Sequence, residues 1–89
     1  MHQTIDLAEA RFLTSRYQAW RDFATEQRTA HTQLLEDYRA GTLPGRRPTM
    51  TFEQMTAEGD RLLATIREAD AQANAFLEEA ARALHMPTH

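Results

Sequence analysis

The chain has 89 residues, of which 42% are hydrophobic and 26% charged, and its net charge is −3. This composition is typical of one small globular domain, spanning residues 1–89. The negative charge provides no general attraction to nucleic acid or to anionic lipid. The absence of cysteine excludes disulfides, thiolate zinc sites and cysteine nucleophiles.

The first residues, MHQTIDLAEA, show no basic region followed by an apolar one, so we expect no signal peptide. No apolar run approaches the roughly 18 residues of a membrane span, and a small domain without disulfides is more typical of the cytosol. We therefore expect a cytoplasmic protein with no membrane partner, while secretion without a signal peptide stays open. All 10 basic residues are arginine, which favours a bacterial genome rich in G and C.

The first predicted element is an α-helix over about residues 6–40. Asp6 is a suitable N-cap, and Glu9 stands where a carboxylate can bond back to the cap. The next residues alternate steps of four and three, which is typical of a helix packed against another helix. This predicted seam comprises Leu13, Tyr17, Trp20, Ala24, Gln27, His31, Leu34 and Tyr38.

A turn is predicted over residues 41–50, where the sequence is GTLPGRRPTM. Its two prolines cannot continue a helix, because proline lacks the N–H donor and its ring clashes with the preceding turn. Gly41 is predicted to adopt the left-handed conformation just past the end of the first helix. Arg46 and Arg47 would then lie at an exposed tip.

The second predicted helix spans about residues 51–86. Thr51 and Gln54 have the spacing of a capping box at its start, and Pro87 would end it. The seam continues along this helix at steps of three and four residues. Its members are Phe52, Met55, Gly59, Leu62, Ile66, Ala69, Ala73, Phe76, Ala80 and Ala83.

Two helices joined by a short turn pack antiparallel, so the predicted fold is an all-α, coiled-coil-like two-helix hairpin. Folding about the middle of the turn opposes residues whose numbers sum to about 91. Trp20 then meets the stretch from Ala69 to Ala73, and Leu13 meets Leu77. Large side chains of the first helix face small ones of the second, which permits close approach.

More apolar residues are present than this seam uses, and a hairpin has no third element to cover them. Burying each large side chain would contribute about 1.5–3 kcal/mol, and exposed apolar patches usually mark interaction surfaces. We predict a homodimer that forms an antiparallel four-helix bundle, with a different protein partner as the alternative. The predicted interface comprises Phe12, Ala19, Phe23, Ala30, Leu63, Leu77 and Leu84.

Gln27 and His31 occupy consecutive seam positions, and the pairing places His31 opposite Gly59. We predict that this polar core layer fixes register and oligomeric state, as polar seam residues do in coiled coils. Glycine in mid-helix costs about 1 kcal/mol relative to alanine, so we expect Gly59 to leave space for a bulky group such as the imidazole. The alternative is a ligand site or a pH-sensitive layer, because histidine titrates near neutrality.

A metal site in this layer would combine His31 with Glu58 and Asp60, which flank the glycine. The sequence lacks the Glu-x-x-His pairs of di-iron bundles and the His-Glu-x-x-His motif, so we predict no metal and no cofactor. Chain termini seldom hold ligands in a fixed geometry. This weighs against a site formed by the remaining histidines, which are His2, His85 and His89.

No catalytic constellation is present, so the predicted function is a non-enzymatic protein–protein interaction module. It would act through its long amphipathic helix faces as an adaptor, an assembly factor or an inhibitor-like partner. Two alternatives stay open. One is a ligand- or metal-binding bundle centred on a buried His31. The other is a nucleic-acid accessory protein that uses Arg46 and Arg47, although no recognised nucleic-acid-binding motif accompanies them.

Overall fold

A computed structural model describes residues 7–84, in which two α-helices pack against each other and no β-strand is found. Helix α1 spans Leu7–Gly41 and helix α2 spans Phe52–Leu84. The prediction of an all-helical, two-helix fold is confirmed for these residues. Neither helix contains a stretch both long and apolar enough to cross a bilayer. The predicted cap at Asp6 and the predicted helix end at Pro87 lie outside the described residues.

The start of α2 is fixed by a capping box. The Gln54 N–H donates to the Thr51 hydroxyl oxygen at 3.0 Å, and the Thr51 N–H donates to the Gln54 side-chain oxygen at 2.9 Å. The N–H of Met55 then donates to the Thr51 carbonyl at 2.9 Å, which begins the helical pattern. These bonds satisfy N–H groups that have no partner within the helix, and the capping box predicted from the sequence is confirmed.

The connection between the helices contains a tight turn. The Arg46 N–H donates to the Leu43 carbonyl at 3.0 Å, with Pro44 and Gly45 between them. Gly45 has a φ of +78°, which is the value that the third residue of a type II turn requires. Proline in the second position presets its own φ, so this four-residue segment suits that turn at both central positions.

Gly41 is the last residue of α1, and Gly45 is the one described residue with a positive φ. The predicted left-handed conformation at Gly41 is therefore wrong. Glycine is required there for a different reason, because a Cβ would lie 3.0 Å from the Cα of Pro48. The missing side chain lets the connection pass close to the end of α1.

The packing divides into two compact units. The terminal unit contains residues 7–23 and 69–84, and the loop unit contains residues 24–68. The terminal unit has a core cluster of Ala10, Leu13, Ala80 and Ala83, with Phe76 packed against it. The buried hydrophobic residues of the loop unit are Ala24, Leu34, Leu62 and Ile66.

The predicted seam agrees with the observed burial. Every seam residue predicted on α1 is buried or half-buried, and so is every one on α2 except Phe52. Phe52 is 61% exposed because it is the first residue of α2, where its ring packs only at the edge of the seam, 6.3 Å from the ring of Tyr38. In the terminal unit, the guanidinium of Arg16 lies 5.8 Å from the ring centre of Phe76. The Tyr38–Phe52 contact and the Arg16–Phe76 contact both agree with the predicted antiparallel pairing.

Candidate functional site

The terminal unit displays large apolar side chains outside its core. Phe12 is 60% exposed, whereas its neighbour Leu13 is 6% exposed. The difference arises because Leu13 lies on the seam and Phe12 lies one position before it. The exposed large hydrophobic residues of this unit are Leu7, Phe12, Phe23, Leu77 and Leu84.

These exposed residues lie on two faces of the terminal unit. Phe12 precedes a seam position, whereas Leu77 and Leu84 each follow one. Successive residues turn by about 100° around a helix axis, and antiparallel helices turn in opposite senses when both are viewed along one axis. Residues that precede the seam therefore border one side of the helix pair, and residues that follow it border the other side.

We call the first side of the terminal unit the phenylalanine face; it carries Phe12, Ala19 and Phe23. The second side is the leucine face; it carries Leu7, Leu77 and Leu84. The residues predicted for a single interface are therefore divided between two faces.

The borders of the two faces differ in polarity. On the leucine face, Leu7 and Leu84 line a shallow groove with Ala10, and most of its polar border is uncharged. On the phenylalanine face, a groove beside Leu13 is lined by charged side chains, which are Glu9, Glu79 and Arg82. Leu7 was not among the interface residues predicted from the sequence. Ala10 is buried, so the seam extends one step further toward the N-terminus than predicted.

The loop unit follows the same rule. Ala30 is exposed and precedes the seam residue His31, whereas Leu63 is exposed and follows Leu62. Leu35 is also exposed, although it was not among the predicted interface residues. The sequence contained the signal, because Leu35 follows Leu34 just as Leu63 follows Leu62.

The predicted polar layer lies in the loop unit. Gln27 and His31 are half-buried, and no polar residue among those described is fully buried, so the expectation of a buried His31 is wrong. The imidazole covers Gly59, where an added Cβ would lie 3.7 Å from His31 Nε2 and 3.8 Å from Leu34 Cδ2. These are ordinary van der Waals distances, so the imidazole does not require a glycine opposite it.

Glu58 forms a salt bridge along α2. Arg61 Nε and Nη2 donate to its two carboxylate oxygens at 2.5 and 3.0 Å. These hydrogen bonds hold the pKa of Glu58 below its ordinary value and raise the pKa of Arg61. The carboxylate that flanks Gly59 is thus engaged by a neighbour on its own helix, in the bidentate geometry that arginine favours.

The residues weighed for metal binding do not form a cluster. Asp60 is exposed, and residues 7–84 contain no group of three or more histidine, aspartate or glutamate side chains placed to hold a metal ion. His2, His85 and His89 lie outside the described residues.

Arg46 is the last residue of the type II turn and Arg47 follows it, and both side chains are exposed. No protein-family model, curated protein or solved structure matches the chain.

Proposed function

We propose that the chain is a non-enzymatic protein-interaction module whose exposed apolar faces are covered by other protein surfaces. The observation that supports this is the unequal distribution of large side chains in the terminal unit. Among its described residues, Leu13 is buried together with alanines, while five large hydrophobic side chains are exposed. Because burial of each such side chain contributes about 1.5–3 kcal/mol, a partner that covers them gains substantial free energy.

The partner proposed for the leucine face is a second copy of the chain, which would give a four-helix bundle. Leu77 and Leu84 are one heptad apart on α2, a spacing that keeps both side chains in line along a packed helix. A two-fold interface uses the same patch on both copies. The polar border of this patch is uncharged apart from Arg11, so few like charges oppose each other when the face pairs with itself.

The partner proposed for the phenylalanine face is a different protein. The groove beside Leu13 on this face is lined by charged side chains, and charged borders favour specificity and orientation more than simple apolar pairing does. A hairpin that pairs with its copy through one face and holds a second protein on the other would act as an adaptor or an assembly factor.

Sedimentation equilibrium of the purified chain tests the self-association. We expect a dimer at micromolar concentrations, and we expect Leu77→Glu to shift it to a folded monomer, because the substitution would bury an unpaired carboxylate. The matched control is Ala71→Glu, which introduces the same charge at an exposed position of α2 away from the seam. Circular dichroism establishes that each variant is still helical.

Phe23→Glu separates the two faces. We expect this variant to remain a dimer if the leucine face mediates self-association, and to become monomeric if the phenylalanine face does so instead. A wild-type chain that sediments as a folded monomer at tens of micromolar, with both faces exposed, would contradict the four-helix bundle.

A further inference from the structure

The connection between the helices carries positive charge and no negative charge. Residues 41–51 contain Arg46 and Arg47 but no Asp or Glu, in a chain whose net charge is −3. Neither guanidinium has an ion-pair partner among residues 7–84. Arg46 and Arg47 line a shallow groove that Asp37 also borders. The Asp37 carboxylate accepts a hydrogen bond from the Gln33 amide at 2.8 Å. Both arginines are thus available to an external anion.

The backbone that presents these arginines is well defined. The type II turn immediately precedes Arg47, and its closing hydrogen bond is donated by the N–H of Arg46 itself. After the arginines, Pro48 passes close to the end of α1 at Gly41. Because both sides of the pair are fixed, binding a ligand would order little backbone, and this lowers the entropic cost of recognition.

An apolar groove lies next to the arginines. Tyr38 and Phe52 line it with ring centres 6.3 Å apart, and Pro48 and Met50 complete its apolar wall. Thr49 borders both this groove and the groove that Arg46 and Arg47 line. A single extended segment could therefore occupy both. We call the two grooves together the tip site.

We propose that the tip site binds an acidic peptide segment of a partner protein. Its carboxylates would pair with Arg46 and Arg47, and one apolar side chain would enter the groove between Tyr38 and Phe52. Arginine forms two parallel hydrogen bonds to a carboxylate, and the apolar groove adds a requirement that a free anion cannot meet. This site shares no residue with the leucine or phenylalanine face. Peptide binding at the tip site therefore does not depend on the interactions proposed for those two faces.

The probe is a random peptide library displayed on phage and selected against the immobilised full chain. We expect the enriched sequences to combine two or more acidic residues with a leucine or an aromatic residue. A fluorescently labelled enriched peptide, titrated with the chain at low ionic strength, then gives the affinity. We expect that affinity to fall as salt is added, because exposed charges are screened.

Three variants locate the binding. Arg46→Gln combined with Arg47→Gln should weaken the enriched peptide about tenfold or more, since each hydrogen bond to a charged group contributes more than one to a neutral group. Phe52→Ala should also weaken it, and should do so equally at low and high salt. The matched control is Arg67→Gln, which removes one exposed charge from α2 and should leave the affinity unchanged.

Four results would overturn the proposal. The first is the failure of the library to yield any enriched sequence, or enrichment of sequences without acidic residues. The second is equal affinity of the enriched peptide for the double arginine variant and for the wild-type chain. The third is tighter binding of a short DNA duplex or single strand, which would identify a nucleic-acid contact. The fourth is a change of oligomeric state in the double arginine variant, which would identify a second copy as the occupant.

Discussion

The terminal unit and the loop unit bury different kinds of side chain. The terminal unit buries five alanines and one leucine, whereas the loop unit buries Leu34, Leu62 and Ile66 with a single alanine. A large aliphatic side chain removes far more apolar area from water than a methyl group does, and the free energy gained scales with that area. The loop unit therefore gains more from its fully buried side chains than the terminal unit does from its own.

The difference bears on how stable each unit is without a partner. Alanine allows two helices to approach closely, but it contributes little apolar area, and the terminal unit leaves Phe12 and Leu77 in water. The loop unit has in addition a capped helix start and a type II turn, which hold its end of both helices. We expect the terminal unit to open more readily in a monomer, since local stability follows the buried apolar contacts.

The largest expected effect comes from removing the one leucine buried in the terminal unit. Leu13→Ala should lower the free energy of unfolding by about 2–5 kcal/mol, because it removes buried methyl groups and leaves a cavity. The measurement is urea unfolding at a concentration at which sedimentation shows the wild-type chain to be monomeric. The adjacent and exposed Phe12 provides the control, and Phe12→Ala should change stability by about 0.5 kcal/mol or less. Equal effects at both positions would break the comparison between the units.

The next effect concerns the loop unit, where Gly41 lets the connection pass close to the end of α1. Gly41→Ala should destabilise the chain by about 1–3 kcal/mol, because its Cβ would press against the backbone of Pro48, which cannot move as a flexible side chain could. Thermal and urea unfolding measure the loss. An unchanged midpoint would mean that the contact at the end of α1 relaxes freely.

The same substitution should have the opposite sign at Gly59. Gly59→Ala should stabilise the chain by about 1 kcal/mol, because alanine is the better helix former and its Cβ would meet the imidazole of His31 at an ordinary distance. Unfolding of the two variants side by side measures both signs. Destabilisation by Gly59→Ala would show that the imidazole needs the space after all, as the sequence alone suggests.

The sequence was informative about periodicity and local chemistry. The steps of three and four residues predicted the buried and half-buried positions from Leu13 to Tyr38, and the spacing of Thr51 and Gln54 predicted the start of α2. Both succeed because each depends on residues close together in the chain, and on geometry that is the same in every α-helix.

The sequence was less informative wherever the answer depended on the other helix. The left-handed conformation assigned to Gly41 was wrong because the approach of Pro48, and not the backbone angle, selects glycine there. The division of the apolar residues into two faces follows from the antiparallel direction of α2 together with the position of each residue relative to the seam. By this rule Leu35 and Leu63, which each follow a seam residue, lie on the same side of the helix pair.

The smallest expected effect is a pH-dependent one in the loop unit. The pKa of Glu58 is lowered from 4.5 by its hydrogen bonds with Arg61. A carboxyl with a lowered pKa in the folded state stabilises that state at pH values above its unfolded pKa, and the contribution is lost as pH falls through the folded value.

Urea unfolding of wild type, Glu58→Gln, Arg61→Gln and the double variant, repeated across that range, measures the coupling between the two side chains. The coupling should be present at neutral pH and should fade below about pH 4.5. It should also be small, because both side chains are largely exposed and water and salt screen their attraction. A coupling that persists in acid would show that the two side chains interact through packing, with charge contributing little.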